Sequence, residues 1–326
     1  MTGGELLVSE TYDLYESFSE AVRGWSLDFR QLSRHQGSFF LEQLMGHSLF
    51  FSRAYLPSSF HQRGASTPGC RTVSMLVSGS PAAGWRWCGE TVSHNSLLVM
   101  PVSGEFESFS TPGLDTLHIA VPIAMLEDVA ATQFQQPLHE LMPEGRCFCP
   151  NGGPAMFQLR QTLDRILGII RSPSAPMQAG ELAAREYELA CLILSCLAAG
   201  GTGTPGSRRG KRMKVLDTSL AYIAAADYDE INVAGLVRQA GVSRRTLENA
   251  FQDGLGISPA SYLKAIKLNT FSRRLLEADR AEATVATVAR EVGFAHLGQL
   301  AADYYEMFGE RPLATLRRSS GRAQKV

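Results

Sequence analysis

The stretch Val285-Ala-Thr-Val-Ala-Arg-Glu-Val-Gly-Phe294 repeats an earlier one, Val233-Ala-Gly-Leu-Val-Arg-Gln-Ala-Gly-Val242, at an offset of 52 residues. Each copy spaces its apolar residues three and four apart and then reaches a glycine, which is the pattern of a short helix with a glycine C-cap. Beyond the glycine the offset becomes 53, and the matched pairs are Leu247 with Leu300, Phe251 with Tyr304, and Pro259 with Pro312. One extra residue in the second turn explains this change. The repeat predicts two helix-turn-helix units.

Helix-start signals divide the repeat into helices. Asn232 and Ser243 are expected N-caps, and Ser258 followed by Pro259 combines a cap with a proline at the first helical position. From Pro259 to Asp279 the sequence predicts one helix of roughly 30 Å, at about 1.5 Å per residue. Such a spacer would hold the two recognition helices, the second helix of each unit, about one DNA turn apart, or ~34 Å. We therefore expect the two units to enter successive major grooves.

Residues 213–318 resemble the DNA-binding domain of the AraC/XylS family of transcription regulators. The resemblance is carried most strongly by Val288-Ala-Arg-Glu-Val-Gly-Phe294 and Tyr304-Tyr-Glu-Met-Phe-Gly-Glu-Arg-Pro312. Two further stretches, Val242–Phe251 and Gly293–Leu300, are most similar to the ethanolamine-operon regulator branch. Membership would imply promoter binding, usually activation through contact with RNA polymerase, and often a small-molecule inducer. The N-terminal part is only loosely similar to the cupin-like effector domains of the same family.

Base contacts are expected chiefly from the first recognition helix, because its polar face carries side chains that can pair with base edges. Arginine pairs with guanine, asparagine with adenine, and glutamate accepts from cytosine. The candidates on this face are Arg244, Arg245, Thr246, Glu248 and Asn249. The second recognition helix offers only Gln299, with His296 before it, since the matched positions are Leu297, Gly298, Ala301 and Ala302. The second helix-turn-helix unit therefore either recognises few bases, with apolar contact to thymine methyl groups, or mainly contacts phosphate. We favour weaker base recognition by this unit.

The charge distribution indicates which part of the chain meets a polyanion. Residues 207–326 contain 19 Lys and Arg against 13 Asp and Glu, whereas residues 1–206 contain 12 against 19. A basic C-terminal part joined to an acidic N-terminal part favours DNA contact by the former alone. The candidates for phosphate contact are Lys264, Lys267, Arg273, Arg274, Arg290, Arg311, Arg317 and Arg318.

Composition and patterning predict an α+β protein with four segments. Short strand-like runs at Val73–Val77, Leu97–Met100 and Thr116–Val121 indicate an antiparallel β-barrel or sandwich. The predicted segments are a cupin-like effector or dimerisation domain at 1–198, a flexible basic linker at 199–212, an all-α DNA-binding domain at 213–318 and a tail at 319–326.

Two helices should follow the strands. The first begins near Pro154 and places Phe157, Leu159, Leu163, Ile166, Leu167 and Ile170 on one broad apolar face; the second spans about Glu181 to Ala198. These helices either pair two subunits or cover one face of their own barrel. A homodimer is the expected assembly.

Enzymatic chemistry is not expected from this sequence. The histidines are scattered singly, at His35, His47, His61, His94, His118 and His139, so we expect neither a metal site nor a cofactor. Trp85 and Trp87 alternate along a predicted strand and either line an effector pocket or fill the barrel. Met1 to Glu10 shows no signal-peptide pattern and no stretch is apolar enough to cross a membrane, so a cytoplasmic protein with reduced cysteines is expected. The alternatives are a constitutive regulator without an effector, and a cupin-type enzyme fused to a DNA-binding domain.

Overall fold

The chain divides into two compact units, each with its own core. The computed structural model describes residues 4–77, 84–102, 106–145, 147–172, 179–201, 210–225, 231–279 and 282–319. The first unit consists of Met1–Asp28, Ser38–Pro57 and Gln62–Ser207. The second consists of Phe29–Gly37, Ser58–His61 and Arg208–Val326. The two short segments of the second unit fall inside the domain that the sequence predicts at 1–198.

The strands of the described residues form two sheets. They are β1 (Glu5–Tyr12), β2 (Ser26–Gln31), β3 (Phe39–Met45), β4 (Phe50–Leu56), β5 (Phe60–Ala65), β6 (Cys70–Leu76), β7 (Trp85–Trp87), β8 (Glu90–Thr91), β9 (Leu97–Val99), β10 (Phe106–Ser110), β11 (Leu114–Pro122) and β12 (Cys147–Cys149). One sheet has the order β1-β3-β4-β11-β6-β9-β12, and the other has the order β2-β5-β10-β7-β8. Neighbours in the larger sheet pair antiparallel. With the helices listed next, this confirms the predicted α+β class.

The first compact unit has five α-helices among the described residues. They are α1 (Tyr15–Ala21), α2 (Ile123–Val129), α3 (Leu138–Leu141), α4 (Gly153–Arg171) and α5 (Ala179–Gly200), and a π-helical turn at Ala130–Phe134 continues α2. The helices of the second unit are α6 (Lys211–Ala225), α7 (Val233–Ala240), α8 (Arg244–Leu255), α9 (Pro259–Glu277), α10 (Val285–Glu291), α11 (Leu297–Phe308) and α12 (Pro312–Ser319).

The seven-stranded sheet has an apolar face and a more polar face. Val73, Met75 and Ile119 point to the same side, because residues two apart on a strand share a face, and they join one core with α4 and α5. Ser74 and His118 lie on the opposite face, where they are register partners on β6 and β11. Helices α4 and α5 therefore cover one face of the sheet, which is one of the two alternatives that the sequence leaves open.

Two features differ from the sequence-based prediction: the exposure of Phe157 and the extent of the linker. Phe157, predicted on the apolar face of α4, is 67% exposed, because it follows the buried Met156 by one residue and so lies off the buried stripe. The linker predicted at 199–212 is shorter, since α5 continues to Gly200 and α6 begins at Lys211. The rest of it, residues 202–209, lies outside the described residues.

The repeat forms two helix-turn-helix units on either side of α9. Asn232, Ser243 and Ser258 accept hydrogen bonds from the backbone of the first turn of α7, α8 and α9, as predicted for N-caps. Gly241 (φ +63°) and Gly293 (φ +78°) end the first helix of each unit in the left-handed conformation that glycine adopts without strain. The next helix starts three residues after Gly241 but four after Gly293. The extra residue in the second turn is thus confirmed.

Two short segments from the N-terminal half of the sequence pack within the second unit. Gln31 and Asn269 of α9 exchange two hydrogen bonds, from Gln31 N to Asn269 Oδ1 at 2.9 Å and from Asn269 Nδ2 to Gln31 O at 2.8 Å. His61 Nδ1 lies 3.0 Å from the hydroxyl of Tyr262, and both side chains are buried. The core of the second unit therefore includes residues far from the repeat in sequence.

Candidate nucleic-acid interface

The first recognition helix, α8, presents its polar residues on the face opposite its core. Leu247, Ala250 and Phe251 are buried, as the sequence predicts. The side chain of Ser243 accepts a hydrogen bond from the backbone N–H of Thr246 at 3.2 Å, which fixes the start of the helix. The exposed or partly exposed residues include Arg244, Arg245, Thr246, Glu248 and Asn249. All five predicted base-contact residues of this unit thus lie on one accessible helix.

The five residues are not equally available to DNA. Arg244 Nε donates to Glu248 Oε1 at 3.0 Å, an exposed i,i+4 ion pair of the kind worth about 0.3–0.5 kcal/mol. Such a weak pair can exchange for base contacts at small cost. The hydroxyl of Thr246 lies 2.9 Å from Ser243 Oγ at the N-cap. Arg245 and Asn249 show no side-chain hydrogen bond within the described residues, and their donors point to no competing partner there.

The second recognition helix, α11, is apolar where the first is polar. Leu297 is 46% exposed, and Gly298, Ala301 and Ala302 are exposed beside it. His296 occupies the N-cap position, is exposed and makes no capping hydrogen bond with its side chain. This surface favours van der Waals contact over hydrogen bonding.

Gln299, the main polar candidate on α11, is held by a neighbour. Its Nε2 donates to Asp303 Oδ1 at 2.8 Å, and the same oxygen lies 2.8 Å from Lys264 Nζ on α9. Adenine recognition by glutamine needs both the amide N–H and the carbonyl oxygen. Asp303 engages one of the two N–H donors of Nε2, which restricts the orientations in which the second N–H and the carbonyl oxygen of Gln299 can meet adenine.

The eight candidate phosphate contacts fall into two groups. Lys264, Lys267 and Arg318 are engaged inside the unit: Lys264 with Asp303, Lys267 Nζ with the carbonyl oxygen of Gly293 at 2.8 Å, and Arg318 with Glu310. Lys267 also lies 4.9 Å from the centre of the Phe294 ring. The remaining five side chains are exposed: Arg273, Arg274, Arg290, Arg311 and Arg317. At least three of the eight thus have an intramolecular partner that the sequence does not reveal.

A buried polar network supports α11 from behind. The hydroxyl of Tyr304 lies 2.9 Å from Ser272 Oγ on α9 and 2.8 Å from Thr315 Oγ1 on α12. Thr315 in turn donates to Glu310, which also pairs with Arg318. The matching residue of the first unit is Phe251, which is buried without a hydroxyl. A buried hydroxyl therefore links three helices at this position of the second helix-turn-helix unit, whereas the matching Phe251 contributes packing only.

The candidate effector residues lie in the first compact unit, outside the helix-turn-helix repeat. Trp85 and Trp87 are both buried on β7, and Trp85 Nε1 donates to Ser108 Oγ at 2.6 Å, whereas Trp87 Nε1 has no partner among the described residues. On the polar face of the larger sheet, His118 Nδ1 lies 2.7 Å from Ser74 Oγ. Burial lowers the pKa of His118 to about 4, so this ring is neutral at physiological pH.

The described part of the chain bears on metal binding and on membrane insertion. No group of three His, Cys, Asp or Glu side chains there is arranged to hold a metal ion. Among the same residues, no helix has both the length and the apolar character needed to cross a membrane.

Comparison with known proteins identifies the repeat region. A family model described as a helix-turn-helix domain matches residues 236–318. The probable thc operon regulatory protein of Rhodococcus erythropolis is 35% identical over 103 residues, and the XylDLEGF operon transcriptional activator of Pseudomonas putida is 33% identical over 87 residues. These matches cover 32% and 27% of this chain, and only 31% and 27% of the relatives' own lengths.

A solved structure aligns over more of the chain. The AraC-like transcriptional activator CuxR has 16% sequence identity and a TM-score of 0.44, with 87% of this chain and 99% of that one covered. Residues 236–318, which match the family model, include both glycine turns and both recognition helices. This part of the chain is therefore a helix-turn-helix domain.

Proposed function

We propose that this protein is a sequence-specific transcription regulator that binds promoter DNA through its two helix-turn-helix units, rather than an enzyme. The observation that carries the proposal is the pair of recognition helices, each packed on one side and exposed on the other. The spacer α9 has 19 residues, which gives about 28 Å at 1.5 Å per residue. This length is close to the repeat of the DNA helix, so successive major grooves on one face of the duplex are the natural target.

Within this proposal the first helix-turn-helix unit recognises most of the bases in the DNA site. Arg245 and Asn249 would contact bases directly, with Arg244, Thr246 and Glu248 beside them. His296 and Gln299 would add a weaker contribution from the second unit, where exposed leucine and alanine side chains suit thymine methyl groups. The exposed arginines, Arg273, Arg274, Arg290, Arg311 and Arg317, would contact phosphate.

The test is selection of binding sites from random DNA by the full chain, followed by affinity measurement on the selected site and on a scrambled control. The proposal expects one conserved core sequence, an affinity for it at least about 10³-fold higher than for scrambled DNA, and a steep loss of affinity with salt. Equal affinity for both duplexes would contradict it.

Control of the regulator is proposed for the region before residue 199. There it would bind a small-molecule effector within residues 39–121, with Trp85 and Trp87 as candidate contacts, or pair two subunits. The relatives named above regulate operons, and one is called an activator, which supports activation through RNA polymerase as the output. The likeness to the ethanolamine-operon branch stays a hypothesis, since the relatives named here belong to other operons.

One experiment separates an effector-controlled regulator from a constitutive one. Site occupancy by purified protein is compared with occupancy after addition of a concentrated low-molecular-weight extract from the native host. An increase that rises with extract concentration and saturates supports effector control. Unchanged occupancy at all extract concentrations supports the constitutive alternative.

A further inference from the structure

A surface pocket of about 380 Å³ lies in the first compact unit, on the side of the seven-stranded sheet that the helices cover. Arg71 of β6 contributes to it, and the other lining residues come mainly from α2, the π-helical turn and α3. The volume falls in the range of small-molecule sites, about 300–1,000 Å³. It is separate from Trp85 and Trp87, which belong to the other sheet.

Arg71 brings a buried positive charge to this pocket. The residue is 2% exposed, and its Nη2 donates to the carbonyl oxygens of Pro143 at 2.8 Å and Gly145 at 3.3 Å. Its Nε has no hydrogen-bond partner within the described ranges. Burial lowers the pKa of Arg71, which reflects the cost of removing its charge from water. The carbonyl oxygens and the nearby Glu144 offset only part of this cost, so an anion at the unmatched donor would stabilise the buried cation further.

The mouth of the pocket has the opposite charge. Glu127 of α2 and Glu144 after α3 are exposed lining residues, while Ile123, Leu138 and Met142 supply apolar wall. A simple anion would gain from Arg71 but would be repelled by the two carboxylates. A molecule with an anion at one end and a cation at the other satisfies both.

We propose that this pocket binds a small zwitterion of the amino-acid class, with its carboxylate at Arg71 and its ammonium group toward Glu127 and Glu144. The apolar side chain of the ligand would lie against Ile123, Leu138 and Met142. This site rests on the effector control proposed above but moves the ligand from residues 39–121 to elements that mainly follow them, since among the residues named here only Arg71 lies in that range. The lining elements α2, the π-helical turn and α3 all pack against α5. Ligand binding itself is independent of DNA, so its test stands apart from the test of DNA binding.

The backbone beside the pocket is unusual in a way that suits a ligand-responsive element. The turn at Ala130–Phe134 is π-helical, and such turns occur often at functional sites. It ends at Gln135, a non-glycine residue with a φ of +55°. Gln136, the next residue, lines the pocket. A ligand that contacts this segment would therefore bear on a conformation that is costly to maintain unaided.

Calorimetric titration of the full chain with three matched probes tests the proposal. Leucine carries both charges, 4-methylpentanoate lacks the ammonium group, and 3-methylbutylamine lacks the carboxylate. We expect leucine to bind and each partial probe to bind at least about tenfold more weakly. Glu127→Gln should weaken leucine binding but not 4-methylpentanoate binding. Glu140→Gln, an exposed carboxylate on α3 that does not line the pocket, is the matched control and should change neither.

A further variant tests the pocket without removing Arg71, whose buried hydrogen bonds contribute to the fold. Leu138→Trp fills the pocket while it leaves the hydrogen bonds of Arg71 in place, so the melting temperature should hold and leucine binding should be lost. Three results would overturn the proposal: no heat from leucine, methionine or proline with the wild-type chain; tighter binding of 4-methylpentanoate than of leucine; or wild-type leucine binding by Leu138→Trp.

Discussion

Replacing Arg245, Asn249 and Gln299 with alanine, one at a time, compares the two recognition helices on the same operator. Arg245 and Asn249 have no described side-chain partner to satisfy in the free protein, so each can offer its full bidentate geometry to a base. Loss of such a contact costs about 1–3 kcal/mol, which raises Kd by about 5- to 150-fold. Gln299 already donates one N–H to Asp303 at 2.8 Å, which restricts how its second N–H and its carbonyl oxygen can reach a base. We expect Gln299→Ala to cost less than about 1 kcal/mol, the scale of one neutral hydrogen bond.

Fluorescence anisotropy with a labelled operator measures these costs at one fixed salt concentration. Each variant is also titrated with operators changed at single base pairs, because loss of a base contact relaxes preference at that position and at few others. Gln239→Ala is the matched control, since Gln239 is an exposed glutamine on α7 outside both recognition helices. If Gln299→Ala proves the most damaging of the three, the ranking of the two units is wrong.

Four further predictions follow from contacts described above. Tyr304→Phe should lower the free energy of unfolding by about 1–3 kcal/mol in denaturant titrations, because Ser272 and Thr315 lose a buried partner. Phe251→Tyr should also destabilise the protein, because it buries a hydroxyl. An unchanged denaturation midpoint for both variants would contradict this. Arg273→Ala should reduce the slope of log Kd against log salt by about 1, whereas Lys267→Ala should leave the slope unchanged and lower the melting temperature, since Lys267 binds Gly293. Because burial lowers the pKa of His118 to about 4 from an unfolded value near 6.5, the unfolded chain takes up the proton first, so stability should fall as pH drops through that interval and His118→Gln should flatten the fall. Asn269→Leu should increase hydrogen exchange at the amide of Gln31, and continued protection there would show that another group holds it.

The features of the helix-turn-helix repeat that depend on neighbouring residues were predictable from the sequence. Glycine positions, cap residues and apolar spacing depend on a few neighbouring residues, so the offset of 52 and then 53 fixed the helix order and even the extra residue in the second turn. The buried face of α8 was predictable for the same reason. The glycine turn and the apolar spacing appear in both copies, which strengthens the prediction.

Other features depend on partners that no local pattern reveals. Helix α6 precedes the repeat and has no second copy to draw attention to it. The ammonium of Lys264 looks like any exposed cation until Asp303, 39 residues later, is seen beside it. The exposed position of Phe157 follows from which stripe of α4 meets the sheet, and that depends on packing across the whole first unit. Which basic side chains remain available for DNA was therefore beyond sequence reasoning.

The hydrogen bonds between Gln31 and Asn269 join residues 238 positions apart and bear on how the protein is made. A ribosome releases Gln31 long before α9 exists, so the segment Phe29–Gly37 must wait for its partners while most of the chain is still being added. Contacts of such long range form slowly, because a large loop must close before they repay its entropy. The repeat itself consists of local contacts and can fold as soon as it emerges. The DNA-binding unit should therefore acquire its helices first and its N-terminal segments last, and a nascent chain that stalls before α9 will expose Gln31 and its neighbours without a surface to cover them.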